Sequence, residues 1–161
     1  MIGLIDYDAG NIRSVEKALK RLGQEVCITR DRETLLKAER VILPGVGAFG
    51  DAMRHLEEYG LVDVIHEIIE KRTPFLGICM GLQLLFEESE EAPGVKGLGV
   101  LKGRILRIPA EEGFKVPHMG WNSLTLQNGG RLLQKLPFEP YVYFVHSYYL
   151  KAEDEMIVKA V

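Results

Sequence analysis

The chain has 161 residues, 47% of them hydrophobic, and a formal net charge of −3. That is enough for one domain, residues 1–161, with a real core, and the charge gives no reason to expect nucleic acid. No run of about 18 apolar residues occurs, so no membrane span is expected, and the opening Met1-Ile2-Gly3-Leu4-Ile5-Asp6 lacks the basic start of a signal peptide.

Two cysteines, Cys27 and Cys79, are too few for a disulfide framework and are not spaced as metal ligands. A reducing cytoplasm is the expected location, with no metal and no cofactor. Cys27 is expected to pack at a strand end.

Strands and helices alternate through the first half. Ile2 to Asp6 reads as a strand, and Asn11 to Leu22 as a helix with Val15, Ala18, Leu19 and Leu22 on one stripe. Gly23 ends that helix. Glu25 to Thr29 and Arg40 to Leu43 read as strands. Helices are expected from about Asp51 to Glu58 and from about Leu61 to Lys71, the second presenting Leu61, Val64, Ile65, Ile68 and Ile69 on one face. Pro74 closes it, and Phe75 to Ile78 is the next strand. Strands flanked by helices imply an α/β fold, with an open, mostly parallel sheet covered on both faces. Sites in such sheets lie at the carboxyl ends of the strands. Gly10, Gly45 to Gly47 and Cys79 all fall just after strands. After Glu91 the texture changes. Leu98 to Ile108, Trp121 to Leu126, Tyr141 to His146 and Met156 to Val161 suggest a smaller antiparallel or mixed sheet. The chain ends inside strand-like residues, so a C-terminal part is expected to be missing.

Thr73 to Leu85 is the most informative stretch. An apolar strand meets a Gly77-x-Cys79-x-Gly81 turn, then an apolar helix. A sharp turn crowds the backbone, and glycine relieves the crowding. A helix start offers unpaired N–H groups and a partial positive charge, and such donors suit an oxyanion. The alternative is a small buried cysteine. Gly45-Val46-Gly47-Ala48-Phe49-Gly50 matches Gly-x-Gly-x-x-Gly, yet it follows the third strand, Pro44 stiffens it, and Glu67 and Glu70 fall inside a helix rather than at a strand end. A loop offering N–H groups to an oxyanion fits better than a dinucleotide fingerprint. His66-Glu67 lacks the second histidine of a zinc-protease helix, and His55 reads as a surface residue. Glu87, Glu88, Glu90 and Glu91 read mostly as a solvated face. His118 and His146 are equally open to structural and functional roles. A thiol nucleophile needs a base, and no histidine here sits beside an obvious orienting acid.

Gly77-Ile78-Cys79-Met80-Gly81-Leu82-Gln83 resembles the nucleophile motif of the class I, triad-type glutamine amidotransferases. Asp6 to Asn11, Pro44 to Gly50, Pro117 to Asn122 and Tyr143 to Tyr148 sharpen the likeness toward the glutaminase subunits of imidazole glycerol phosphate synthase, in histidine biosynthesis. The likeness runs along the whole chain. It implies a flavodoxin-like fold, and Cys79 attacking the carboxamide of glutamine to form a thioester and free ammonia. It implies oxyanion donors at the Met80 N–H and at a peptide N–H of Gly45, Val46 and Gly47, near Val46. It places Gln83 on the substrate, with Glu91, His146, Ser147 and Tyr148 around its amino-acid end. Asn11, His118, Trp121, Asn122 and Tyr143 would face a β/α-barrel cyclase subunit that forms a heterodimer and uses the ammonia. The family completes its triad with a His-Pro-Glu that these 161 residues do not contain. Alone, the chain is therefore expected to be slower by on the order of a thousandfold or more. Other readings are a partner-binding module without hydrolysis, a glutaminase of vitamin B6 synthesis, and a cysteine hydrolase or nucleotide binder on a similar sheet.

Overall fold

The computed structural model describes residues 1–110, 115–125, 132–133, 136 and 139–151. It divides into two compact units, Met1–Arg104 and Ile105–Val161. Among the described residues no helix is long and apolar enough to cross a membrane.

In the first unit, β1 (Ile2–Ile5), β2 (Val26–Thr29), β3 (Arg40–Leu43) and β4 (Phe75–Gly77) form one sheet in the order β2-β1-β3-β4. Every pairing is parallel, as expected from strands separated by helices. Alternation sorts their side chains. Ile2, Leu4 and Ile42 point to one face, where Ile12, Val15 and Leu19 of α1 (Ile12–Arg21) cover them. Ile5, Val41 and Leu43 point to the other, which α2 (Arg32–Lys37), α3 (Phe49–Glu58) and α4 (Leu61–Glu70) cover with Leu35, Phe49, Leu56, Leu61, Val64, Ile65 and Ile68. Fully burying one such aliphatic side chain is worth roughly 1.5–3 kcal/mol, so this second face carries most of the core.

Several boundaries differ from the sequence reading. Ala18 and Leu22 are exposed, and the α1 stripe begins instead at Ile12. The end of α1 follows expectation: Gly23 has φ 73, its N–H donates to the Lys20 carbonyl, and Gln24 donates to Leu19. The end of α4 does not. Arg72, at φ 57, donates its N–H to the Ile69 carbonyl, and Thr73 donates to Ile68, so the helix stops before Pro74 can matter. The sequence reading missed α2. Its signal is Asp31, whose carboxylate accepts from both the N–H and the hydroxyl of Thr34.

α5 (Met80–Gln83) is a single turn rather than the expected longer apolar helix. The carbonyls that would continue it are taken by a distant loop. Leu98, Gly99 and Leu101 donate to Leu84, Phe86 and Leu85. The acidic stretch that follows includes β5 (Glu88–Ser89) and is not merely solvated. Glu87 accepts from the Gly103 N–H and Glu88 pairs with Arg104.

In the second unit, β6 (Arg104–Arg107) runs antiparallel to β9 (Tyr148–Leu150), and β7 (His118–Ser123) runs antiparallel to β8 (Tyr141–His146). The expected smaller antiparallel component is therefore present. Its strands are shorter than Leu98 to Ile108 suggested, because a loop occupies residues 98–103. The expected strand from Met156 to Val161, and Leu126, lie outside the described residues.

Candidate active site

Leu43 stands opposite Gly77, and the Ile78 N–H donates to the Leu43 carbonyl at 3.0 Å. Hence Pro44–Ala48 and the turn at Cys79 leave the sheet side by side. The approach is too close for side chains. A Cβ on Gly81 would lie 1.9 Å from the Leu43 oxygen, one on Gly77 2.6 Å from the Gly81 oxygen, and one on Gly45 2.7 Å from the Gly81 nitrogen. Each glycine is thus required by backbone crowding.

Cys79 sits at the apex with φ 54 and ψ −114, and it is exposed. A non-glycine residue held there stores roughly 1–3 kcal/mol of strain. The buried-cysteine alternative does not apply. Cys27 is partly buried in β2. The N–H groups of Gly81, Leu82 and Gln83 are used within the turn, by the carbonyls of Ile78 and Cys79. Among the described backbone bonds, none uses the N–H of Met80, of Val46 or of Gly47. Val46 is 45% exposed, and Gly47 has φ 101 with open space around it. Unpaired N–H groups of this kind are suited to an oxyanion.

Side chains hold both ends of that loop. At its start the buried Tyr7 hydroxyl donates to the Pro44 carbonyl at 2.7 Å. Burial first, and then the electrostatic effect of the neighbouring Cys79, raise the Tyr7 phenol well above its ordinary range, so it stays a donor. At its end the Phe49 N–H, in the first turn of α3, donates to Glu91 at 2.9 Å. The buried Oε1 of Gln83 has no partner among the described residues. An acceptor left so costs about 1–3 kcal/mol, and a substrate N–H would satisfy it.

Asn11 is the exposed N-cap of α1 at φ 67, and its side chain makes no capping bond. The turn before it is clasped by residues the sequence reading gave no role. Arg30 binds Asp8 at 2.7 Å and Asp6 at 3.2 Å, and lies 4.0 Å over the Tyr59 ring. The Tyr59 hydroxyl also donates to Asp8. The Tyr59 hydrogen bond, then that of Arg30, hold the Asp8 carboxyl below its usual range. Tyr7 was legible only as an aromatic two residues after Ile5, on the same alternation.

In the second unit the register separates residues expected to act together. Trp121 opposes Tyr143 and Met119 opposes Val145. All four are exposed, Trp121 by 71%. His118 and Asn122 point to the other face, with Phe144 and His146. There His118 Nδ1 meets His146 Nε2 at 3.2 Å, and Asn122 Nδ2 meets His118 Nε2 at 3.4 Å. His146 Nδ1 meets the Tyr148 carbonyl at 2.9 Å, and the Ser147 carbonyl accepts from Ile108.

Residues 3–160 match the family glutamine amidotransferase class-I. The chain is 51% identical over 158 residues to imidazole glycerol phosphate synthase subunit HisH of Desulfitobacterium hafniense, spanning 98% of this chain and 74% of that protein. It is 52% identical over 164 residues to the Geobacillus kaustophilus subunit, spanning 99% and 77%, and 48% identical over 158 residues to that of Methanocaldococcus jannaschii, spanning 98% and 78%. Among solved structures, a glutamine amidotransferase superimposes with a TM-score of 0.71 at 24% identity, over 94% of this chain and 74% of that one. The glutaminase domain of Trypanosoma brucei CTPS with bound acivicin gives 0.61 at 14% identity, over 92% and 67%. Both likenesses bear on the fold alone. With the thiol turn and its glycine loop in place, the family match and the identities lead to one conclusion: the chain belongs to the class-I glutamine amidotransferases.

Proposed function

We infer that this chain is the glutaminase subunit of imidazole glycerol phosphate synthase in histidine biosynthesis. It hydrolyses glutamine to glutamate and ammonia. The observation that carries the chemistry is Cys79, exposed at φ 54 beside a glycine loop packed against its own turn. The Cys79 sulfur attacks the carboxamide carbon. The carbonyl oxygen becomes an oxyanion held by the Met80 N–H and by an N–H near Val46, in the loop of Gly45 and Gly47. Collapse breaks the C–N bond; the departing nitrogen takes up the proton given up by the thiol and leaves as ammonia, and a thioester remains. Water then attacks the thioester, releasing glutamate and restoring the thiol.

Gln83 is assigned to the substrate because its buried Oε1 is otherwise unpaired. Glu91, His146, Ser147 and Tyr148 are assigned to the amino-acid end. A cyclase of β/α-barrel form is assigned as the heterodimer partner, receiving the ammonia. The exposed Trp121 and Tyr143 support a protein-facing surface on the second unit, and the exposed Asn11 of the first unit is assigned to the same partner. His118 and Asn122 complete that assignment from the opposite face of the hairpin. Residues 1–161 are read as parts of one amidotransferase domain, since the family match spans 3–160. A cytoplasmic place belongs to the same reading, supported by two unpaired cysteines.

The 161-residue polypeptide alone is expected to turn over slowly. Both ring nitrogens of His118 and of His146 are already engaged, and His55 meets Arg54. The test is glutamate release by the complete gene product with its cyclase, for the wild type and for Cys79→Ser. Loss of more than about a hundredfold on substitution supports the reading. Unchanged turnover, or no acyl group on Cys79 by mass spectrometry during turnover, overturns it.

A further inference from the structure

Two loops meet where the strand order of the first sheet reverses. One follows β1 and carries Tyr7 and Gly10. The other follows β3 and carries Pro44 to Ala48. Neighbouring strands whose connections depart in opposite directions leave a crevice between such loops. Here they touch twice. The Tyr7 hydroxyl donates to the Pro44 carbonyl at 2.7 Å, across 37 positions of sequence. A Cβ on Gly10 would lie 3.1 Å from Cγ2 of Val46. Tyr7 is 1% exposed, so its hydroxyl has no water to exchange with, and the bond is the sole described partner of that group.

We propose that the loop after β1 positions the oxyanion loop, with the Tyr7 hydroxyl fixing the Pro44 carbonyl and Gly10 backing Val46. This rests on the glutaminase reading given above. Tyr7 is a positioning residue, not a catalytic one, because it acts through the backbone of Pro44. Between this grip and the Glu91 bond to Phe49, the peptide between Val46 and Gly47 is the free part of the loop. Gly47 has φ 101 and nothing near its missing Cβ, so that peptide can turn while its flanks stay fixed. Gly10 continues directly into Asn11.

The test uses the complete gene product with its cyclase. Tyr7→Phe keeps the buried ring and removes only the donor. It is expected to lower kcat for glutamine hydrolysis by about tenfold, a loss of one hydrogen bond's positioning. KM should stay within about twofold, since the substrate's own contacts are untouched. Gly10→Ala is expected to lower kcat in the same sense by pressing on Val46. Hydrogen exchange gives a readout that does not need turnover. Amides of residues 45–48 should exchange at least about fivefold faster in Tyr7→Phe, with β1 and β3 unchanged. If kcat and loop exchange both stay at wild-type values, or if KM rises as much as kcat falls, the positioning role is wrong. If the wild type hydrolyses no glutamine at all, the glutaminase reading fails, while the exchange measurement still decides whether Tyr7 holds the loop.

Discussion

His118 and His146 share one hydrogen bond across the β7–β8 hairpin, Nδ1 to Nε2 at 3.2 Å, and its direction follows from what lies at either end. The Tyr148 carbonyl can only accept, so His146 Nδ1 carries a proton. The Asn122 amide donates to His118 Nε2, so the His118 proton lies on Nδ1 and is donated to His146 Nε2.

Both rings are accordingly expected to carry a proton on Nδ1 and to accept at Nε2. Long-range proton–nitrogen correlation spectra of the ring nitrogens check this. A proton found on His146 Nε2 would reverse the direction of the chain and count against the arrangement.

Gly47 and Gly81 are glycines for different reasons, and alanine should separate them. At Gly81 the new methyl meets the Leu43 oxygen at 1.9 Å. Gly81→Ala should cost at least about 1–3 kcal/mol in denaturant unfolding, as overpacking does. At Gly47 there is room, but φ is 101. Gly47→Ala meets no clash but should cost roughly 1–3 kcal/mol of backbone strain, and should lower partner-stimulated kcat more than it raises KM. An equal loss of glutamine affinity would contradict a role confined to the oxyanion loop.

Cys79 holds its strained turn at the expense of stability. Cys79→Gly should abolish turnover, yet raise the unfolding free energy by up to about 2 kcal/mol. Strain of roughly 1–3 kcal/mol is relieved, offset by the greater unfolded-state freedom of glycine. Thermal or denaturant melts decide. A variant less stable than Cys79→Ala would show that the turn is not strained.

The clasp on Asp8 should yield to acid. Its folded carboxyl is held low by Tyr59 and Arg30. Its contribution is therefore full above the unfolded value, about 3.9, and fades as pH falls through the lower folded value. Asp8→Asn tolerates the φ of 63 and should remove that part of the acid dependence below about pH 4. Denaturant midpoints of both proteins between about pH 3 and 6 test it; parallel curves would show that the clasp does not stabilise the fold.

Tyr7 should act in the opposite range. Its folded value lies above the ordinary 10.0, so the unfolded chain releases that proton first as pH rises. Stability is then lost above about pH 10. In Tyr7→Phe the alkaline decline should be shallower by the share of one phenol. Identical alkaline slopes would mean that the hydroxyl is not buried as described.

Local pattern alone decided much of this protein. β3 occupies Arg40–Leu43 and β8 occupies Tyr141–His146, the bounds read from the sequence. The spacing of Gly77, Cys79 and Gly81 announced a thiol on a sharp turn, because crowding at such a turn is a property of adjacent residues. The same locality explains the misses. α5 has the composition for a longer helix, but the carbonyls of Leu84, Leu85 and Phe86 just after it are claimed by Leu98, Leu101 and Gly99, which no window around Gln83 contains. α2 is too short to show a period, and only the Asp31 cap marks it.

What tertiary structure alone decided is which distant groups became neighbours. Tyr7 reaches Pro44, Glu91 reaches Phe49, and the β7–β8 register sets Trp121 and His118 on opposite faces. Hydrophobic periodicity reports which side of an element is buried. The strand order and register then choose the partners, because parallel pairing brings loop ends together whatever their separation in sequence.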